Sequence, residues 1–115
     1  MTMTVIISQC DVPLPRPSLT QTNIVATGGG QTAATPLPAL RNIVTNVAAG
    51  SGVILQLLPV GEMKVFNTCG TGVPLAVFPP VGMKIFGNGT NVPVTIADGG
   101  NATFTWDGSL TWLVS

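Results

Sequence analysis

Residues that could carry out chemistry are scarce in this chain of 115 residues. It contains no histidine, and its two cysteines, Cys10 and Cys69, stand far apart in the sequence. Without histidine, a serine or cysteine nucleophile lacks its commonest activating base, and a metal site lacks its commonest ligand. Two cysteines cannot by themselves close a structural zinc site. We therefore expect no catalytic, metal-binding or cofactor-binding residue.

The four acidic residues are dispersed along the chain. Asp98 and Asp107 each precede a glycine, which is typical of a turn, and Asp11 and Glu62 are distant from them in sequence. No spacing indicates the paired carboxylates of a glycosidase. The run Gly28-Gly29-Gly30 is not followed by the Lys-Ser/Thr of a phosphate-binding loop. The sequence thus predicts that the protein is not an enzyme.

Charge is unusually low, and this bears on the partners of the protein. Only 7% of residues are charged, against about 25% in an ordinary soluble domain, and the formal net charge is zero. Four isolated bases make no electrostatic footprint for nucleic acid. No apolar run reaches the 18 or so residues that span a membrane. Because 45% of residues are hydrophobic, we expect contacts between subunits to cover much of the surface.

The N-terminus carries no basic residue ahead of its short apolar run and no small-residue cleavage site. A secretory signal is therefore not expected, and the protein should stay in the cytoplasm in which it is made. In that reducing compartment both thiols are predicted to be free, as small buried hydrophobic groups. Whether Cys10 and Cys69 lie close together is left open.

Short apolar segments cut by turn residues dominate the chain, and none shows a sustained period of 3.6 residues. The predicted strands cover residues 3–10, 19–26, 41–47, 53–58, 63–67, 73–78, 84–86, 92–97, 102–106 and 110–114. This regular spacing favours an all-β fold, a β-sandwich or jelly-roll-like module over residues 40–115.

The last two strands are predicted to form a hairpin around Asp107-Gly108, a pair that favours the two-residue type I′ turn. Alternation along both strands then gives a set of core candidates. They are Phe104, Trp106, Leu110, Trp112 and Val114. A tryptophan pair can also be a platform for sugar stacking, but burial of these rings is favoured.

An internal repeat links residues 59–66, Pro-Val-Gly-Glu-Met-Lys-Val-Phe, to residues 80–86, Pro-Val-Gly-Met-Lys-Ile-Phe. Each copy is predicted to be a turn, a strand, a loop and a second strand, so the copies could be equivalent hairpins in two facing sheets. Pro74 and Pro93 cannot donate to a central ladder and are expected at strand starts or at edges.

Residues 1–39 differ from the rest in composition. Alternate prolines in residues 11–17 predict an extended, polyproline-like arm, and residues 27–38 are interpreted as a linker or long loop. An SH3-type ligand is the alternative for the arm. Our hypothesis is that the arm lies on a neighbouring molecule, which it contacts through Pro13, Leu14, Pro15, Arg16 and Pro17.

The segment 41–115 resembles a β module of tailed-bacteriophage virion proteins, found in capsid decoration (cement) proteins and in some tail or fibre proteins. The resemblance rests on residues 46–55, 65–67 and 77–87, with Phe104 and Trp112. It implies a sandwich or jelly roll that assembles as trimers on the capsid shell, with an N-terminal arm that contacts the capsid or neighbouring subunits.

From this resemblance we expect a viral structural protein on the capsid surface of a virion, made in the host cytoplasm. Its partners would be copies of itself and the major capsid protein, with no nucleic acid and no membrane. The alternative is a tail- or fibre-associated module that recognises a host-surface glycan.

Overall fold

The structure is a computed structural model that describes residues 18–57 and 61–115, and over these ranges it is all-β. One 3-10 helix, Gln31–Ala33, accompanies the strands. The strands are β1 Ser18–Val25, β2 Thr35–Pro36, β3 Ala39–Asn46, β4 Gly52–Ile54, β5 Glu62–Asn67, β6 Leu75–Phe78, β7 Lys84–Ile85, β8 Val94–Ile96, β9 Asn101–Trp106 and β10 Thr111–Val114.

The predicted all-β class is confirmed, and nine of the predicted strands correspond to observed ones. The remaining predicted strand, residues 3–10, lies outside the described residues. Only β2 was not predicted, because its Thr-Pro sequence has the composition of a loop.

The strands form two sheets. The six-stranded sheet has the order β1-β3-β5-β9-β10-β7, and the four-stranded sheet has the order β2-β4-β6-β8. The chain alternates between the sheets as it advances, so that β1, β3 and β5 lie in one sheet and β2, β4 and β6 in the other.

One strand of the six-stranded sheet and the following strand of the four-stranded sheet together form what we call a rung. The three rungs, β1 with β2, β3 with β4 and β5 with β6, stack in parallel. Thr20 of β1 pairs with Arg41 of β3, and Arg41 pairs with Lys64 of β5. In the other sheet, Val53 of β4 pairs with Val77 of β6, also in parallel. Parallel neighbours of this kind are typical of a β-solenoid, whereas neighbouring strands of the predicted jelly roll are antiparallel. Alternation in a sequence shows which face a residue occupies, but it does not show which strand lies alongside.

The parallel stacking ends after the third rung, where the chain reverses. Strand β8 pairs antiparallel with β6, and β9 pairs antiparallel with β5. Strand β10 follows β9 as a hairpin, and β7 closes the six-stranded sheet beside β10. The reversed strands cover the side of the third rung that a fourth rung would otherwise occupy.

The hydrophobic core lies between the sheets and follows the period of two expected of strands. In β5, Met63, Val65 and Asn67 are buried, and the alternate residues point outward. The largest fully buried side chains in the described residues are Trp112, Phe104, Leu37, Leu55, Met63, Leu75, Ile85, Val44, Val53, Val65, Val77 and Asn42.

The two copies of the repeat bury matching residues, Met63 and Val65 in the first and Met83 and Ile85 in the second, but the copies do not have the predicted placement. Their first strands, β5 and β7, lie in the same six-stranded sheet, whereas facing sheets were expected. The strands that follow, β6 and β8, are neighbours in the other sheet. Each copy therefore spans both sheets. Pro74 and Pro93 immediately precede β6 and β8, which confirms the predicted position at strand starts.

The final hairpin has a wider loop than the predicted type I′ turn. Trp106 pairs with Trp112, and four residues connect the strands. Asp107 Oδ1 accepts hydrogen bonds from the backbone N and from Oγ of Ser109 at 2.8 and 2.7 Å, which stabilises this wider loop. Leu110 falls within the loop and is exposed, so its predicted place in the core is wrong.

The other core predictions in this hairpin have mixed outcomes. Phe104 and Trp112 are fully buried, and Trp106 is half-buried against the core. Val114 pairs with Phe104 and shares its face, but it is the last residue of its strand and remains exposed.

The segment interpreted as a linker is an ordered part of the first rung. Thr27 Oγ1 donates to the Ala33 carbonyl at 2.8 Å, and Thr35 Oγ1 donates to the Val25 carbonyl at 2.6 Å. Leu37 is completely buried in the common core. The boundary expected near residue 40 coincides with the start of β3, and the core continues across it.

Candidate interaction surface

The outer face of the six-stranded sheet carries the main concentration of charge in the described residues. Arg41 and Lys64 stand side by side on β3 and β5, and Glu62 precedes Lys64 on the same face. With Leu40 and Thr103 they line an open depression of about 510 Å³. The lining of the depression offers charged groups of both signs and hydrogen-bonding groups at the surface.

Hydroxyl groups hold the charged side chains of this face in place. Arg41 Nε donates to Thr20 Oγ1 at 3.2 Å, and Thr105 Oγ1 donates to Glu62 Oε2 at 3.4 Å. The Lys64 ammonium lies 5.5 Å from the centre of the Phe66 ring, within the range of a cation–π contact.

Large apolar side chains are exposed over much of the surface. Phe86 and Leu113 follow the paired residues Ile85 and Trp112, so they are neighbours at the β7 edge of the six-stranded sheet. Phe86 is 70% exposed. The full set of exposed large hydrophobic residues among those described is Leu19, Val25, Leu57, Val81, Phe86, Val92, Leu110, Leu113 and Val114.

Strand β1 forms the opposite edge of the same sheet. Within the described ranges its one strand neighbour is β3. From residue 19 to residue 25, Ile24 alone is buried, and Leu19 is 70% exposed. The pairing shifts register after Gln21, where Asn23 has a φ of 57°.

The two tryptophans do not form an exposed platform for sugar stacking. Trp112 is fully buried, and its Nε1 has no hydrogen-bond partner among the residues that the structure describes. Trp106 is half-buried, and its Nε1 donates to the Ser109 carbonyl at 2.7 Å.

The loop after β5 is held by a carboxylate whose role the sequence did not reveal. Asp98 accepts hydrogen bonds from the Gly70 N at 3.0 Å and from the Gly72 N at 2.8 Å. These two bonds keep the pKa of Asp98 below its ordinary value. In the same loop, the Thr71 hydroxyl donates to Cys69 Sγ at 3.4 Å and lowers the pKa of that thiol. Cys69 is a free, half-buried thiol.

Two buried asparagines, which the sequence analysis also missed, join segments that are distant in sequence. Asn42 Nδ2 donates to the Ala39 and Lys64 carbonyls, and Asn67 Nδ2 donates to the Val73 and Ile96 carbonyls. Asparagine commonly marks a turn, so sequence alone gave no signal that these two side chains are buried.

The described residues do not include the predicted contact arm. The proposed contact residues Pro13, Leu14, Pro15, Arg16 and Pro17 lie outside them. Within residues 18–57 and 61–115, no three side chains of the His, Cys, Asp and Glu types are grouped as metal ligands would be. The same ranges contain no helix with the length and hydropathy needed to cross a membrane.

Comparison with protein-family models, with curated proteins and with solved structures gave no significant match.

Proposed function

We propose that the protein is an oligomeric structural component of a phage virion, a decoration or cement protein that binds and stabilises the assembled capsid. The observation that carries the proposal is the surface of the described module. Phe86, Leu113 and Leu110 are exposed near one edge of a sheet in a chain with almost no charge. Apolar surface of this kind is typical of a contact with another protein.

The described module is suited to a mechanical role. Its proposed architecture is a short β-solenoid of three parallel rungs, closed at one end by reversed strands. A protein that binds only the assembled shell stabilises the shell by mass action. Linking three copies in a homotrimer raises the effective concentration of each contact, so that weak single contacts become a stable attachment.

The competing function is recognition of a host glycan by a tail or fibre module. A glycan site commonly uses exposed aromatic rings, and both tryptophans of this chain are at least half-buried. The burial of these rings favours the structural role over the glycan role.

Two measurements test the proposal. Light scattering should give a mass of about three times the 11.7 kDa of one chain. Cosedimentation with purified capsids of the cognate phage should show saturable, stoichiometric binding. A monomer that binds host cells but not capsids would contradict the proposal.

A matched pair of variants connects these measurements to the surface. Phe86 and Thr95 are both exposed, so aspartate at either position should leave the fold intact. Phe86→Asp should weaken self-association or capsid binding at least tenfold, whereas Thr95→Asp should leave both unchanged. If the two variants have equal effects, the β7 edge is not part of the contact surface.

A further inference from the structure

Two of the four basic residues of this chain lie side by side on the outer face of the six-stranded sheet. Arg41 of β3 pairs directly with Lys64 of β5, and both line the open depression of about 510 Å³. Arg41 is exposed and Lys64 is half-buried, so solvent reaches both side chains. Like charges directly opposite each other on neighbouring strands destabilise a sheet. In a chain with so little charge, this pairing points to a role outside the fold itself.

Contacts within the sheet draw the nearby carboxylate away from the two cations. The Oε2 atom of Glu62 accepts a hydrogen bond at 3.4 Å from Thr105 on β9, whereas Arg41 lies on β3, on the opposite side of β5. The Lys64 ammonium lies 5.5 Å from the centre of the Phe66 ring, which follows Lys64 along the strand, whereas Glu62 precedes it. One carboxylate held in this way balances only part of the charge of two cations.

The hydrogen-bond donors of the pair suit a carboxylate. A guanidinium carries five N–H donors and an ammonium three. The bond from Arg41 Nε to Thr20 Oγ1, at 3.2 Å, uses one donor and orients the guanidinium before a partner arrives. An arginine fork can bind both oxygens of a carboxylate, and a lysine beside it adds a second cation. Leu40 and Thr103 line the same depression and offer an apolar and a hydroxyl contact to the side chain that carries the carboxylate.

The same face of the sheet continues from the depression to the apolar β7 edge. On β9, Thr105 pairs with Glu62 on one side and with Leu113 of β10 on the other. Leu113 is next to Phe86 at the β7 edge. Neighbouring strands are about 4.8 Å apart, so β3 and β7, which are four strand positions apart, are separated by roughly 19 Å. A protein that covers Phe86 and Leu113 can therefore also reach the two cations.

We propose that Arg41 and Lys64 bind a carboxylate of the partner protein, an aspartate or glutamate side chain that enters the depression. Charge complementarity selects an acidic group for two adjacent cations. The apolar residues Phe86 and Leu113 on the same face select a protein as its source, because a free anion makes no apolar contact. This inference rests on the proposed function and identifies the chemistry by which the capsid protein is recognised.

Capsid cosedimentation with the full chain tests this site. The double variant Arg41→Gln, Lys64→Gln removes both charges from exposed positions, and circular dichroism should show an unchanged fold. An exposed ion pair changes the affinity of one contact only a few-fold, but three linked subunits multiply that change, so we expect capsid binding to weaken about tenfold or more. Lys84→Gln removes an exposed lysine from β7 of the same sheet and is the control. It should leave capsid binding nearly unchanged.

Amidation of the capsids identifies the group that is bound. Carbodiimide with ethanolamine converts exposed carboxylates of the capsid into uncharged amides, and electron microscopy checks that the treated shells are intact. The treatment should weaken binding of the wild type about as much as the double substitution does, and it should have little further effect on the double variant. Equal fractional losses for the two proteins would refute the carboxylate site.

The outcomes separate this inference from the proposed function. If Phe86→Asp weakens capsid binding but the Arg41→Gln, Lys64→Gln variant binds as the wild type does, the carboxylate site is refuted and the structural role stands. If Lys84→Gln is as damaging as the double variant, general attraction by positive charge replaces the specific site. A wild-type protein that does not bind capsids would refute both proposals.

Discussion

Asn67 provides the sharpest test of how the two sheets are held together. This side chain is completely buried at the end of β5. Its Nδ2 donates to the Val73 carbonyl at 3.0 Å and to the Ile96 carbonyl at 2.9 Å, and its Oδ1 accepts from the Cys69 N at 3.3 Å. The substitution Asn67→Ala removes all three bonds and leaves their backbone partners without a replacement.

The expected cost follows from these contacts. Each intramolecular hydrogen bond contributes about 1 kcal/mol net, so loss of three lowers the free energy of unfolding by about 3 kcal/mol. For a domain of this size, that loss corresponds to a decrease in melting temperature of roughly 10 °C or more. Urea unfolding followed by circular dichroism should show a lower midpoint with an unchanged slope.

Two control variants make the Asn67 result interpretable. Asn101→Ala changes an exposed asparagine on β9 and should alter stability by less than about 0.5 kcal/mol. Asn67→Asp keeps an acceptor for the Cys69 N but loses both donors and buries a carboxylate, so at neutral pH it should cost more than Asn67→Ala. If Asn67→Ala is no more damaging than Asn101→Ala, the bridging role of Asn67 is refuted.

Three further substitutions test the core, a close backbone approach and the acid response. Trp112→Ala should lower the free energy of unfolding by about 3 to 5 kcal/mol, because the ring is fully buried; an unchanged urea midpoint would contradict this. Gly52→Ala should cost about 1 to 3 kcal/mol, since a Cβ there would lie 2.7 Å from the Ala76 carbonyl oxygen; Gly29→Ala, with open space around it, is the control. The pKa of Asp98 is lowered in the folded state, so its contribution is present above the unfolded pKa and is lost as the pH falls through the folded pKa. Urea unfolding from about pH 6 to about pH 2 should therefore show a smaller loss of stability in Asp98→Asn than in the wild type, and equal slopes would exclude this role.

Local features of the fold could be predicted from the sequence, whereas the partners of each strand could not. Apolar alternation located β3, β5 and β9, and proline chemistry placed Pro74 and Pro93 just before strands. Which strands become parallel neighbours depends on the path of the connection between them. That path is not evident from the residue types along the chain.

The interaction surface was less accessible to prediction than the strands. The low charge predicted that contacts with other subunits cover part of the surface. Only the register of β7 and β10, however, shows that Phe86 and Leu113 are neighbours. Leu110 was assigned to the core because a two-residue turn was assumed, and the bonds of Asp107 to Ser109 hold a wider loop. The burial of Asn42 and Asn67 depends on contacts between segments that are distant in sequence, which a single sequence does not reveal.

Each strand of the described module is stabilised mainly by the strands next to it. Local stability should therefore be lower at β1 than at the central strand β5. Strand β5 is hydrogen-bonded on both sides, to β3 and β9, whereas β1 is bonded to β3 alone within the described ranges. Backbone amides should therefore exchange with solvent fastest in β1 and slowest in β5. Gln31, in the first rung, opposes this fraying because its Nε2 donates to the Pro79 carbonyl at 2.8 Å, beyond the end of the third rung. Local opening of β1 would therefore leave the second and third rungs intact, because within the described ranges its strand pairing is to β3 alone.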